Sequence, residues 1–261
     1  MRILGLLNSN VHGGPANLPR EELFPSAMQA PLGKAIGEPV EVTARAIWPT
    51  PALPAAVAKW MDEVNPELVV FPIGSFWFLY ESTPVRMERR LGGPGHWINR
   101  RAQRIAATPW LAHNSAFQWS RKRTQRAVGG DAWFEPEDVV AVAKEVIRTI
   151  LRYECSYLVV MGPGGGAKWA ANDAARERLA RRQELVDDAL ARFCADLKVE
   201  YWDRNRKKVE LPASGASSLQ GDDLHLDVEG HRRTANRYFD FSRGMVERAL
   251  EHARPVAGNR A

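Results

Sequence analysis

The sequence predicts an α/β sandwich: a parallel sheet with crossover helices on both faces. Two observations carry this. Five short runs rich in Val, Ile and Leu recur along the 261 residues with little polar alternation, the pattern of strands covered on both sides. Segments with helical character lie between them, and repeated strand, helix, strand order is the arrangement of a parallel sheet. With 45% hydrophobic and 26% charged residues, the chain has the composition of a globular protein with a sizeable core.

The strands are expected at "RILGLL" (2 to 7), "PVEVTAR" (39 to 45), "ELVVFPI" (67 to 73), "SYLVVMG" (156 to 162) and "KVEYWD" (198 to 203). The first helix is expected at "TPALPAAVAKWMDEV" (50 to 64), which opens with prolines. The second, "EPEDVVAVAKEVIRTILRYE" (135 to 154), has Pro136 in its first turn, acids early and arginines late, the polarity a helix dipole favours. A third runs over 172 to 197 and a last from about Val228 to Ala253, acidic at its start and basic near its end. A segment from about Ser75 to Asp131 separates the third strand from the next helix. It is several times longer than an ordinary connection, so it is read as an insertion with helices of its own in a single domain spanning 1 to 261.

The opening "MRILGLLNSN" is too short in its apolar part for a signal peptide or membrane span. Cys155 and Cys194 have neither metal spacing nor a disulfide framework. They are read as buried thiols, and the protein is expected to be cytoplasmic with no membrane partner. The formal charge of +5 is unevenly spread. Between Arg86 and Arg126 there are ten Lys or Arg against Glu88 alone, a local +9 that leaves -4 for the remainder. A protein that binds nucleic acid along its whole surface would spread or stripe its charge, so a nucleic-acid partner is not expected. The same segment holds Trp97, Trp110, Phe117 and Trp119. Basic residues interleaved with aromatics can bind single strands. The reading preferred is an amphipathic cap, with arginines in water and aromatics packed inward, whose charge attracts an anionic small molecule or acyl carrier.

In open parallel sheets functional groups collect where strands end and helices begin. Ser9 follows the first apolar run directly and is expected on a strand-to-helix turn with its hydroxyl exposed. A serine hydroxyl is a poor nucleophile without a base, and "GDDLHLDVEGH" (221 to 231) offers one in His225, with Asp222 three residues earlier to hold the imidazole in the required tautomer. Asp227 and Glu229 are read as acids favouring the N-terminus of the last helix, and His231 as structural. A metal site is not expected, since the two histidines are six residues apart with neither HxxxH nor cysteine ligands. "GPGGG" (162 to 166) lacks the GK[ST] ending of a phosphate loop and is read as a flexible loop beside the site.

With "NSN" after the first strand and "DDLHLDVEGHRRTA" before the last helix, the chain resembles the SGNH, or GDSL-type, serine hydrolases. The resemblance implies a three-layer α/β/α sandwich with a parallel, flavodoxin-like sheet. It also implies the triad Ser9, His225 and Asp222, an acyl-enzyme mechanism on an ester, thioester or acyl-sugar bond, and no cofactor. Asn8 stands where the family often has Asp. The family's oxyanion donors are a Gly after the second strand and the Asn of a GxN motif after the third. This chain has "ARAIWPTP" at the first place, without a glycine, and "GSFW" at the second, with Gly74 in the first position and Phe76 in place of Asn. An atypical oxyanion hole is therefore expected, from the amides of Ser9 and Gly74 or the side chain of Ser75 or Asn10. An acyltransferase would use the same triad, and a noncatalytic module binding nucleic acid or another anion is the competing class.

Overall fold

The computed structural model describes residues 1–7, 18–106, 108, 114–153, 156–164, 170, 172–203 and 227–253. Five parallel strands form one sheet: β1 (Arg2–Leu7), β2 (Glu41–Ala46), β3 (Leu68–Pro72), β4 (Tyr157–Met161) and β5 (Glu200–Trp202), in the order β2-β1-β3-β4-β5. β1 pairs with β2 over its full length, Arg2 beside Glu41 and Leu7 beside Ala46, and with β3 through Ile3, Leu4 and Gly5 beside Leu68, Val69 and Val70. The chain leaves β1 toward one edge for β2 and crosses back to β3. The crevice between β1 and β3 is therefore the point where strand order reverses, the usual place for a ligand in such sheets.

Side chains alternate across the sheet into two cores. Leu4, Leu6, Val69, Phe71, Leu158 and Val160 face one layer of helices, made of α3 (Leu53–Val64), the short α4 (Phe76–Leu79), α8 (Pro136–Ile150) and α9 (Asp173–Asp196). α8 contributes Val139, Val146, Ile147 and Ile150, and α9 contributes Leu179, Val186 and Leu190. Ile3, Leu7, Leu68, Val159 and Met161 face the other layer, made of α1 (Phe24–Ala27), α2 (Gln29–Ile36) and α10 (Val228–Ala253), through Phe24, Met28, Leu32, Met245, Val246 and Ala249. Apolar residues on both sides of every central strand explain why these runs read as continuous rather than alternating.

The expected strands lie within two residues of the observed ones, and the last helix spans the expected residues. α1 and α2 are additions. Their apolar positions, Phe24, Met28, Leu32 and Ile36, follow helical spacing, but Pro25 and Pro31 interrupt the pattern. Pro25 stands at the opening of α1 and Pro31 in the first turn of α2, where a missing N–H costs nothing because those amides have no intrahelical acceptor. Gly37, at φ 77°, ends α2 in the left-handed conformation that glycine adopts without strain.

Between β3 and α8 the chain forms α4 and then α5 (Thr83–Leu91), α6 (Gly93–Ala106) and α7 (Ser115–Val128). The two ends of this excursion meet: Ser82 and Asp131 exchange backbone hydrogen bonds of 2.8 and 3.2 Å, and the Thr83 hydroxyl donates to Gly129 O. Arg178 of α9 pairs with Glu81 beside that junction.

Candidate active site

The carboxyl ends of the central strands carry the first candidate residues. Beyond β3, the Ile73 amide donates to Met161 O at 2.8 Å, so the ladder continues one residue past the strand before the chain turns at Gly74 and Ser75. The buried Ser75 hydroxyl donates to Gly164 O at 2.5 Å and accepts from Gly164 N at 2.8 Å, locking the turn after β3 to the loop after β4. Its proton is thereby committed to a carbonyl. The Gly74 and Ser75 backbone N–H groups, by contrast, meet no acceptor among the described residues. Gly74 must be glycine for a packing reason: a Cβ there would lie 2.6 Å from Cε2 of the buried Trp77 indole.

Phe76, in the position where the resemblance calls for asparagine, presents a ring. It stacks on Tyr80 at 4.7 Å between centroids and lies 6.1 Å from Trp48, which follows β2. Trp48 also meets Trp133 and Phe134, each at 5.9 Å. Two tethers hold this group. The Ile47 amide donates to Leu7 O at 2.9 Å, and the Phe134 amide donates to Trp77 O at 3.0 Å. Below it, Glu135 accepts from Arg89 at 2.7 Å and Arg182 at 2.8 Å, while Arg182 also donates to the carbonyls of Phe78 and Phe134. Burial would raise the Glu135 pKa, but the two arginine hydrogen bonds outweigh it and hold the carboxyl below its ordinary range. The sequence reading passed over Trp48 and Trp133, because single tryptophans far apart in sequence carry no spacing signal.

Ser9, Asn10, Asp222 and His225 lie outside the described residues. The residues flanking them are described. α10 runs against the sheet with its end near the start of β4, where His252 meets the Tyr157 ring, and near the start of β5, where Arg248 pairs with Glu200. Its 26 residues span about 39 Å against roughly 17 Å for a five-residue strand, so its N-terminus reaches the carboxyl edge of the sheet. There Asp227 Oδ1 accepts from the Gly230 amide at 2.6 Å, capping the helix, and Glu229 pairs with Arg232 and Arg233. The hydrogen bond from Arg232, then that from Arg233, lowers the Glu229 pKa to about 2. His231 is fully buried, accepts through Nδ1 from the Phe24 amide at 3.2 Å and stacks on the Phe24 ring. It is a structural histidine, and it ties the start of α10 to α1.

Two features of the basic segment correct the inward-packed cap expected from the sequence. Trp97 and Trp119 are each 62% exposed, and each ring is covered by the arginine one turn later, Arg101 at 5.3 Å and Arg123 at 5.2 Å. A guanidinium over the indole face satisfies the ring on the surface of its own helix, so amphipathic spacing alone did not reveal which way it faces. Trp110 lies outside the described residues. Cys194 is buried, which pushes its thiol up to about 12 and removes it as a nucleophile at neutral pH. Among the described residues no group of His, Cys, Asp and Glu could hold a metal ion, and no helix is long and apolar enough to cross a membrane.

No family model matches the sequence, and no curated protein matches it. Solved structures do match in fold. The psychrotrophic esterase EstA from Pseudoalteromonas sp., in a structure inhibited by monoethylphosphonate, superposes with a TM-score of 0.54 at 10% identity, covering 94% of this chain and 98% of that one. Est24, a carbohydrate acetylesterase from Sinorhizobium meliloti, gives 0.47 at 14% identity over 94% and 99% of the two chains. An extracellular lipase from Streptomyces rimosus gives 0.46 at 14% identity over 97% and 100%. With its sheet order, its two helical layers and the likeness to the first of these structures, the chain has the SGNH-like α/β/α fold.

Proposed function

We propose that the protein is a serine hydrolase that cleaves an ester, thioester or acyl-sugar bond through an acyl-enzyme. Ser9 attacks the carbonyl carbon while His225 takes the hydroxyl proton, and Asp222 holds the imidazole in place and stabilises its charged form. The tetrahedral oxyanion is stabilised by backbone N–H groups. The Gly74 and Ser75 amides support this role because they meet no acceptor among the described residues at the carboxyl end of β3, with Ser9 and Asn10 as further donors. Collapse of the intermediate expels the alcohol or thiol with the proton from His225. Water, deprotonated by the same imidazole, then releases the acid and restores Ser9.

The observation that carries the reading is the buried hydrogen bond between the Phe24 amide and His231. It joins two parts of the chain 207 residues apart, one following the segment that holds Ser9 and the other following the segment that holds Asp222 and His225. Ser9 is two residues beyond Leu7, and His225 two residues before Asp227 along the chain, which supports reading the two stretches as parts of one site. The esterase of the same fold was captured with a phosphonate, and a fluorophosphonate probe is the test here. Covalent labelling of Ser9 is expected, absent in Ser9→Ala and slowed in His225→Ala. An unlabelled native protein would overturn the proposal. If that protein also bound oligonucleotides tightly and in a salt-dependent way, the noncatalytic module would stand in its place.

The same residues would serve an acyltransferase if an acceptor other than water reached the acyl-enzyme, and the ratio of transfer to hydrolysis in the presence of added alcohols separates the two. The basic segment favours an anionic substrate or acyl carrier. Its kcat/KM toward such substrates is expected to fall as ionic strength rises.

A further inference from the structure

The aromatic group at Trp48 adjoins the turn that follows β3. Trp48 is tied through Ile47 to Leu7, two residues before Ser9, and its ring lies against Phe76, which directly follows Gly74 and Ser75. Four rings, those of Trp48, Phe76, Trp133 and Phe134, therefore gather beside the turn that follows β3, with Phe76 next to Ser75 in the chain. Trp48 nonetheless remains 45% exposed. An indole held on its sides by three other rings, yet left partly open to solvent, is apolar surface that gains free energy when a ligand covers it.

The chemistry of the surroundings selects the ligand. Recognition of a sugar would require planar polar side chains converging around the ring, but Glu135, which follows Phe134 of this group, is occupied by Arg89 and Arg182. Phe76 and Trp133 meet Trp48 edge to face, with interplanar angles of 72° and 67°, the geometry aromatic rings adopt with one another. We infer that Trp48 and Phe76 form a specificity site for an apolar ring, an aryl group carried on one side of the scissile ester. The inference rests on the hydrolase reading and names its substrate class.

Three simple esters test it, with turnover followed by acid release: ethyl acetate, without a ring; benzyl acetate, with a ring on the alcohol; and ethyl phenylacetate, with a ring on the acyl group. At least one ring-bearing ester is expected to exceed ethyl acetate in kcat/KM by about tenfold or more. Trp48→Ala should abolish that preference, lowering kcat/KM for the preferred ring-bearing ester by about tenfold more than for ethyl acetate, while Trp48→Phe retains most of it. A native enzyme indifferent to the ring, or a preference that survives Trp48→Ala, would overturn the inference. If no ester is turned over, the hydrolase reading fails separately, and calorimetric titration with the uncleavable amides N-benzylacetamide and phenylacetamide still decides the ring site. Binding by the native protein that is lost in Trp48→Ala upholds it, and the absence of binding by the native protein refutes it.

Discussion

Replacing Ser75 by alanine separates two roles that this turn could have. The buried hydroxyl bonds both the carbonyl and the amide of Gly164, so removing it costs two hydrogen bonds and leaves both Gly164 groups without their partner. At roughly 1 kcal/mol net for each bond, the loss is about 2 kcal/mol. For a protein of this size a loss of 1 kcal/mol lowers Tm by about 2 to 4 °C, which sets the expected drop at about 4 to 8 °C. Thermal unfolding by calorimetry measures it, alongside kcat and KM on an ester that the native enzyme turns over. Because the Gly74 and Ser75 amides are retained, kcat should fall by no more than about tenfold as the loop after β4 loosens. A Tm within about 1 °C of the native value would refute the locking role. A fall in kcat of about 100-fold to 1000-fold with Tm little changed would show that the hydroxyl itself stabilises the oxyanion, and the assignment to the amides would be wrong.

Three other outcomes follow from the same structure. In Gly74→Ala the new methyl meets the Trp77 indole at 2.6 Å, so denaturant unfolding should show a loss of about 1 to 3 kcal/mol, together with slower turnover in the proposed hydrolase reaction as the adjacent amides shift. Trp97→Ala and Trp119→Ala should each change stability by less than about 0.5 kcal/mol, because these rings lie in solvent; a loss of about 3 kcal/mol or more, the cost of truncating a buried tryptophan, would contradict the exposed placement. Glu135 is held below its ordinary value of 4.5, so the unfolded chain takes up its proton at a higher pH than the folded one. The stability from its pairs with Arg89 and Arg182 is then complete above about pH 4.5 and lost as the pH falls through the lowered folded value. Tm measured from about pH 6 to about pH 3 should therefore decline less steeply in Glu135→Gln than in the native protein.

The parts of the fold most legible in the sequence are those whose side chains report their own environment. β1, β3 and β4 are runs such as "LVVFP" and "YLVVM", apolar at every position except Arg2 at the start of β1, because helices cover both faces. α8 has its proline, acids and arginine where a helix in isolation would want them. The pair α1 and α2 was less legible, because Pro25 and Pro31 signal a break unless the first turns are already known to lie there. The segment from Ser75 to Asp131 reads as an excursion by length alone, whereas its closure at Ser82 and Asp131 depends on a backbone contact that leaves no mark on residue types.

The sequence by itself determined the class of fold, the five strands and the two stretches that could supply a nucleophile and its base, because apolar periodicity, helix polarity and the chemistry of Ser, His and Asp are local properties. Tertiary structure decided the rest. The locking of Ser75 to Gly164, the joining of Phe24 to His231 and the gathering of Trp48 with Phe76, Trp133 and Phe134 all depend on residues distant in the chain meeting in the folded molecule. Such meetings are set by strand order and by which face each crossover takes, and no short stretch of sequence contains either.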